Sequence, residues 1–382
     1  MNIHTPSSKK QDKYKTINLH GVLEGSGNAD RLPTVLLVAH YDAMSGIPGL
    51  SYGADSNGSG AVALLELMRI FQRLFSSSNK PEYNIAFLLS GSAKLNYFGT
   101  KKWLEEMRES SKFPYLNQVE SVICLDSIAS QSSNLYIHIS KPPKEGSANH
   151  QLIQHLKEAA TEFGSSAEHI HKKIALAHSK LAWEHEQFAM SKMAGMTISS
   201  LENHKAPIRT SALDTRSSVT SQVLTQNIHV IGEAVARYIF SLSSNDSAKQ
   251  VTVLDADLAV QRSMVKAWLD LLTSEPRAAQ LLKPTSSLLI SMEQAFQRYL
   301  QSVSRTTYTC DTRDPEFVLY DPVLDTMHVY SVKPAVFDLF LAVVIGAYLG
   351  VVYLLSLVSS ILVGWYFVGE AVFVKNRIKF YY

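Results

Sequence analysis

Short apolar runs alternate with amphipathic helical patterns over the first two-thirds of the chain, and this alternation narrows the possible folds more than any other feature. Runs such as TVLLVA and NIAFLL are almost continuously apolar, which is typical of strands covered on both faces. Parallel strands need a crossover connection, usually a helix. The sequence therefore predicts an α/β fold with a doubly wound, mostly parallel sheet. The predicted strands are 34–39, 84–89, 121–126, 135–140 and 196–201, and the predicted helices are 59–75, 99–110, 149–163, 184–193 and about 218–242.

A second constraint comes from the uncharged, apolar stretch 339–369 near the end of the chain. A helix that crosses a bilayer needs about 20 apolar residues, so this stretch fits one tilted or overlong span. The basic sequence KNRIK follows it and favours a cytosolic C-terminus. We therefore predict one C-terminal transmembrane helix, with the main domain on the other side of the membrane.

Changes in composition along the chain predict five segments. The polar stretch SLSSNDSAK (241–249) reads as a junction, and two amphipathic helices, 253–273 and 286–304, follow it, with extended chain expected at 318–332. The predicted segments are a polar N-terminal stretch (1–16), the main α/β domain (17–243), a small α+β juxtamembrane module (250–334), the transmembrane segment (335–374) and a short basic cytosolic tail (375–382).

Overall charge and cysteine content exclude some function classes. The 382 residues carry a formal net charge of +2, with 18% charged residues, so no broad basic face is available for nucleic acid. Two cysteines are too few for a disulfide framework or a zinc knuckle. The polar start has no apolar core like that of a secretory signal peptide.

Histidine and carboxylate side chains stand at the predicted carboxyl ends of several strands. His40 ends AHYD, where Asp42 falls on the same face and can orient its imidazole. Asp55 lies in the Gly-rich turn GADSNGSG, Asp126 ends ICLD and His204 ends LENH. Taken singly, His40 is interpreted as a structural histidine, and Asp55 is interpreted as the side chain that closes an Asx turn or caps a helix. Together, His40, Asp55, Asp126 and His204 are the ligand types of a carboxylate-bridged zinc pair.

The order of these motifs resembles the M28 type of zinc-dependent aminopeptidase over roughly residues 17–242. The motifs are AHYD, GADSNGSG, a GxxxxxxxG frame, LD, WEHEQF and LENH. The resemblance implies that His40 and Asp126 hold one metal, that Asp55 bridges both metals, and that His204 is the last ligand of the other. His185, in EHEQF, matches the helix-start motif of the family rather than a metal ligand.

The glycine-framed loop GSAKLNYFG (91–99) departs from that family pattern. The resemblance implies two adjacent glutamates in this frame, a general base and a metal ligand, but Ala93 and Lys94 stand there. We therefore expect a pseudoenzyme without catalytic residues or bound cofactor. Our hypothesis is that Lys94 replaces one metal through a buried ion pair with Asp55, and the alternative is that it points to solvent.

Two other functions remain open from the residues alone. One is a single-zinc aminopeptidase that keeps the His40 half-site and uses another base; the candidate bases are Asp42, Glu184 and Glu202. The other is a pocket that binds peptide termini without cutting them.

Within the M28 family, the motif sequences are most similar to those of one branch of membrane-anchored proteins. That branch is located in the endoplasmic reticulum and is related to nicastrin. That resemblance implies a lumenal domain in a translocon-associated complex for multipass membrane protein biogenesis. It implies nodal modulator and a small multi-spanning membrane protein as partners, besides the lipid bilayer. It also implies that the domain is N-terminally incomplete here. Asn245 and Asn57 are sequons, and Asn57 is expected to be inaccessible within its motif.

Overall fold

One mixed sheet of eight strands forms the centre of the computed structural model, which describes residues 8–11, 14–109, 114–130, 133–175, 180–242, 252–310, 316–321 and 334–378. The strands are β1 (Lys15–Leu23), β2 (Thr34–His40), β3 (Asn84–Ser90), β4 (Val119–Leu125), β5 (Leu135–Ile139), β6 (Ala167–His171), β7 (Gly195–Ser199) and β8 (Ser304–Thr309). The helices are α1 (Gly60–Phe75), α2 (Phe98–Glu109), α3 (Ala148–Glu162), α4 (His185–Met190), α5 (Ser221–Ile239), α6 (Arg262–Leu272), α7 (Ser287–Tyr299) and α8 (Ala335–Ile378).

The strand order is β6-β5-β7-β4-β2-β3-β1-β8. The four central strands β7, β4, β2 and β3 are parallel to one another, which confirms the predicted α/β class. The outer strands make the sheet mixed, because β1 pairs antiparallel with both β3 and β8, and β5 pairs antiparallel with β7. The carboxyl ends of the central strands therefore meet at one edge of the sheet.

Both faces of the sheet are covered by helices. In β2, Val35 and Leu37 belong to the core under helices that include α1, α5, α6 and α7, whereas Leu36 and Val38 belong to the core under α2 and α4. Successive side chains of a strand point to opposite faces, and all of these are fully buried. This explains why the interior strands are apolar at nearly every position, as the sequence predicts.

The region after residue 252 packs into the same compact unit as the sheet, so it differs from the predicted separate module of residues 250–334. The chain divides into the units Met1–Val323 and Leu324–Tyr382. β8 adds to the sheet beside β1, and α6 and α7 pack on the core under α1. The predicted extended chain at 318–332 falls mostly outside the described residues.

Buried charged side chains attach this C-terminal region to the main domain. The carboxylate of Glu233, which is fully buried, accepts the backbone N–H groups of Val253 at 2.9 Å and Leu254 at 2.8 Å. The carboxylate of Glu66 accepts the N–H of Gln261 at 2.7 Å. Such bonds satisfy backbone groups that a linker would leave in water, so this segment is part of the folded domain.

The second unit contains α8, which is described by itself. Its segment Ala335–Val372 spans 38 residues, the most apolar 18-residue window has a mean hydropathy of 2.4, and none of that window is buried. At 1.5 Å per residue, this helix is long and apolar enough to cross a membrane. The finding agrees with the predicted single span.

The role of Glu233 gives a test of this attachment. We expect Glu233→Gln to lower the free energy of unfolding by about 1–3 kcal/mol. An amide NH₂ would face buried donors in place of a carboxylate oxygen, and the ion pair of Glu233 with Arg237 at 2.8 Å would be lost. Denaturant unfolding followed by circular dichroism measures the change. Glu293→Gln, which removes a partly exposed partner of Arg305, is the control, and equal effects of the two variants would contradict the account.

Candidate functional site

The predicted site residues were expected at the carboxyl ends of the central strands, and the structure places three of the four there. His40 is the last residue of β2, Asp126 follows β4, and Asp55 lies in the turn before α1. All three side chains are buried. The three positions converge because parallel strands present their carboxyl ends at one edge.

His40 is oriented by Glu184 and not by Asp42, which corrects the prediction. The Nδ1 atom of His40 lies 3.1 Å from a carboxylate oxygen of Glu184. The same carboxylate accepts the hydroxyls of Ser90 at 2.8 Å and Thr100 at 2.6 Å. Glu184 is thus occupied by three buried partners and is poorly placed to act as a base.

Asp42 instead holds the loop that replaces the family's two glutamates. Its two carboxylate oxygens accept the backbone N–H groups of Ala93 at 2.9 Å and Lys94 at 3.0 Å. A carboxylate that accepts successive N–H groups fixes the loop conformation without a metal ion. Asp42 is therefore a structural anchor for the loop.

Asp55 lies in a turn that needs a left-handed residue at its start. Gly53 has φ 57°, and a Cβ at this position would lie 2.5 Å from the Cβ of Ala43. One carboxylate oxygen of Asp55 accepts the N–H of Ala129 at 2.8 Å and the hydroxyl of Ser59 at 2.9 Å. Burial, with smaller contributions from neighbouring carboxylates, raises the pKa of Asp55 to about 7.

Asp214 supports the same turn and was missed in the sequence. Its carboxylate oxygens accept the backbone N–H groups of Asp55 at 2.9 Å and Ser56 at 2.7 Å. Asp214 is almost fully buried and lies in an irregular loop after β7. No helical or strand periodicity points to it there, so the sequence carries no usable signal.

Asp126 forms a buried ion pair with Arg209, the second residue that the sequence did not indicate. The Nη2 atom of Arg209 lies 2.5 Å from Oδ2 of Asp126. Burial alone raises the pKa of Asp126, but the charges of Arg209 and Lys94 outweigh it and hold that pKa well below its usual range. A cation therefore takes the position beside Asp126 where the resemblance implies a metal ion.

Several contacts hold the Arg209 guanidinium in place. It donates to the carbonyl oxygens of His204 at 3.0 Å and Ala182 at 3.2 Å, and to the hydroxyl of Tyr97 at 3.3 Å. Its central carbon lies 4.3 Å from the ring centre of Trp183, a cation–π distance. A side chain with this many partners does not leave the site readily.

Lys94 points into the site, but its hydrogen-bond partner differs from the hypothesis. Its Nζ donates to the hydroxyl of Ser56 at 2.8 Å, and among the residues with described positions it makes no ion pair with Asp55. Burial, and then the charge of Arg209, lower the pKa of Lys94. The solvent-facing alternative is also wrong, since Ser56 is buried.

The two remaining predicted histidines have polar partners of their own. His204 is half-buried, and its Nδ1 lies 3.3 Å from Nζ of Lys172, so its match to a ligand position stays a prediction. His185 is buried between the hydroxyls of Thr197 at 2.8 Å and Ser140 at 2.9 Å. Burial lowers the pKa of His185 to about 3, which keeps the ring neutral.

Zinc does not fit this set of side chains. The Nε2 atom of His40 is buried without a hydrogen-bond partner in the described part of the chain. Both hydrogen bonds that the described residues make to the Asp55 carboxylate go to one of its oxygens, so His40 Nε2 and the other Asp55 oxygen are two free ligand atoms, fewer than a zinc site needs. Asp126 is neutralised by Arg209, and Lys94 adds a second positive charge that repels Zn²⁺. Among the described residues, no three His, Cys, Asp or Glu side chains are grouped to hold a metal.

The structure describes one of the two sequons, Asn57, and the third candidate base, Glu202. Asn57 is fully buried and donates its amide to the carbonyl of His40, so it is inaccessible, as predicted. Asn245 lies outside the described residues. Glu202 is exposed and stays a candidate from the sequence alone.

Comparisons with known proteins agree with the fold and the motifs. The profile of Peptidase family M28 matches residues 18–239. A Danio rerio protein described as BOS complex subunit ncln is 43% identical over 366 residues, covering 91% of this chain and 64% of that protein. A Caenorhabditis elegans protein described as Nicalin is 33% identical over 363 residues, covering 90% and 63%. The crystal structure of the gamma-secretase component Nicastrin has a TM-score of 0.54 at 11% identity, covering 69% of this chain and 47% of that one.

The likeness to nicastrin shows the fold alone, whereas the curated relatives are similar along almost the whole of this chain. The chain spans about three fifths of the length of the curated relatives it matches. The predicted resemblance to the M28 family, and within it to a nicastrin-related branch, is confirmed.

The ion pair of Arg209 with Asp126 predicts strong coupling. We expect Arg209→Met to lower the free energy of unfolding by about 3–5 kcal/mol, because it leaves a buried carboxylate unpaired. The same substitution in an Asp126→Asn background should be less harmful. A double-mutant cycle on denaturant unfolding gives the coupling energy, and additive effects would contradict the pairing.

The raised pKa of Asp55 predicts that the folded state loses stability as pH rises. Its raised pKa means that the folded state binds the proton more tightly than the unfolded state, so its contribution to stability falls as pH rises from about 4 to about 7. Asp55→Asn should therefore gain up to about 3 kcal/mol over the parent between pH 4.5 and pH 8. Denaturant unfolding at both pH values measures this gain. Asp30→Asn, at an exposed turn, is the control, and an equal gain there would contradict the assignment.

Proposed function

The chain belongs to peptidase family M28, and because two cations stand among the carboxylates of its candidate site, we propose that it is a non-catalytic, membrane-anchored subunit of a protein complex. The observation that carries the proposal is the pairing of Arg209 with Asp126 at 2.5 Å. A guanidinium in that position competes directly with a metal ion for the carboxylate. The family's metal-dependent chemistry then has no place to occur.

The loop that carries Ala93 and Lys94 supports the same proposal. Alanine cannot accept a proton, and a general base typically contributes about 10²–10⁴ in rate. Glu184, which lies closest to His40, accepts three hydrogen bonds in the interior. Asp42 is bound to the loop backbone. Two of the three candidate replacement bases are thus engaged elsewhere.

The names of the relatives support a role in an assembly. Since relatives from several vertebrates are described as BOS complex subunits, this chain is proposed to be the corresponding subunit. The proposal extends to the endoplasmic reticulum membrane, with the α/β domain lumenal, a glycan at Asn245 and the C-terminus cytosolic. It also extends to a translocon-associated role in multipass membrane protein biogenesis, with nodal modulator and a small multi-spanning membrane protein as partners.

One observation favours the alternative of a residual single-zinc site. The Nε2 atom of His40 is buried without a partner among the described residues, as a metal-binding nitrogen would be in the absence of its ion. Even with the free carboxylate oxygen of Asp55, this nitrogen gives only two ligand atoms, and zinc in proteins takes three or four. The non-catalytic proposal is therefore the better supported one.

Zinc content and peptidase activity test the proposal. We expect the purified full chain to bind no stoichiometric zinc and to release no product from aminoacyl p-nitroanilides, because Arg209 and Lys94 exclude the metal. The triple variant Ala93→Glu, Lys94→Glu, Arg209→His removes both cations and adds ligands, so it should bind more zinc than the parent. Elemental analysis by mass spectrometry after dialysis gives the zinc content.

The matched control adds His40→Ala to the triple variant and should lose the gained zinc. A zinc-dependent hydrolysis rate in the parent chain that His40→Ala abolishes would overturn the proposal. A triple variant with no more zinc than the parent would count against the view that the two cations replace the metal.

A further inference from the structure

A second concave surface lies at the edge of the sheet opposite the candidate site. It is formed where β4 and β7 begin and where β5, antiparallel to β7, ends. Two adjoining cavities of about 670 Å³ and about 470 Å³ make up this surface. The two cavities share four of their lining residues, which are Glu120, Lys192, Met193 and Ala194. We call the two cavities together the basal groove.

The larger cavity has an apolar floor. Leu104, Met107, Leu116 and Met193 line it beside Trp103. The floor can thus take an apolar side chain.

The rim of the basal groove is cationic and not neutralised. Its four basic side chains are exposed and make no ion pair with any residue whose position is described; they are Arg108, Lys141, Lys144 and Lys192. Among the described lining residues, Glu120 is the only acidic one, and it accepts the hydroxyl of Tyr238 at 3.0 Å. Four cations against one acid give the groove a positive potential, although the whole chain carries a formal charge of only +2.

The backbone holds one of these cations at the point where the cavities join. Lys192 has φ 65°, in the left-handed region that non-glycine residues rarely adopt. The N–H groups of Lys192 and Met193 donate at 3.0 Å to the carbonyls of Ala189 and Phe188. The turn after α4 therefore fixes the backbone of Lys192 where the two cavities join.

We propose that the basal groove binds an extended acidic segment of a partner protein, with an apolar side chain of that segment on the floor of the larger cavity. Charge complementarity calls for carboxylates on the ligand. The concave shape and apolar floor favour a peptide over a lipid surface, because a layer of headgroups cannot enter a cavity.

Fluorescence anisotropy tests this with the full chain in phosphatidylcholine nanodiscs. The probe is a fluorescein-labelled ten-residue peptide of alternating Glu and Leu, and the comparison peptides alternate Lys with Leu and Glu with Ser. We expect only the Glu-Leu peptide to bind tightly. The double variant Lys141→Glu, Lys192→Glu should weaken its binding at least about tenfold, because like charges then face its carboxylates.

The control variant Lys266→Glu, Lys283→Glu reverses two exposed lysines outside the groove and should leave the affinity unchanged. Equal affinities of the groove and control variants would overturn the proposal, and so would equal binding of the Glu-Ser peptide. Binding of phosphatidylserine vesicles that the groove variant abolishes, without binding of the Glu-Leu peptide, would show a membrane-facing surface and would also overturn it.

Discussion

The buried ion pair between Arg209 and Asp126 is the interaction on which the candidate site depends. Carboxylates brought together at one edge of a sheet repel one another and lose hydration, so they need positive charge. In a metallopeptidase of this architecture, that charge would come from metal ions. Here Arg209 supplies it at 2.5 Å from Asp126, and Lys94 adds a second cation beside Ser56.

The rest of the site is held by hydrogen bonds within the chain. Asp42 accepts the backbone N–H groups of the loop at Ala93 and Lys94. His40 packs against Glu184 in the interior. Asp214 caps the turn that carries Asp55, so that turn keeps its shape through hydrogen bonds within the chain. The architecture of the peptidase site thus persists with a different set of stabilising interactions.

The folded domain extends beyond the segment that matches the family. Residues 252–309 are held by Glu233 and Glu66 and contribute an edge strand to the sheet. Arg277, from the same region, is buried and donates to the carbonyls of Tyr41 at 2.8 Å and Gly53 at 2.6 Å. These carbonyls flank Asp42 and the Asp55 turn, so the C-terminal region also positions the candidate site.

How much the sequence could predict depended on burial and on sequence separation. Interior strands such as β2 and β3 could be predicted because burial of both faces makes them apolar at nearly every position. Strand β8 (SRTTYT) could not, because its positions at the edge of the sheet alternate between half-buried and exposed. The convergence of His40, Asp55 and Asp126 followed from parallel strands. The role of Arg209 did not, because its partner is 83 residues away in the chain and no local pattern marks it. His204, only five residues before it, had the expected chemistry but points to Lys172.

Anomalous diffraction at the zinc absorption edge, from crystals soaked in a zinc salt, tests whether the side-chain cations exclude the metal. We expect density for the Arg209 guanidinium on Asp126 and no anomalous peak within about 2.1 Å of His40 Nε2, the usual zinc–nitrogen distance. A zinc peak bound by His40, with Arg209 displaced from Asp126, would contradict it.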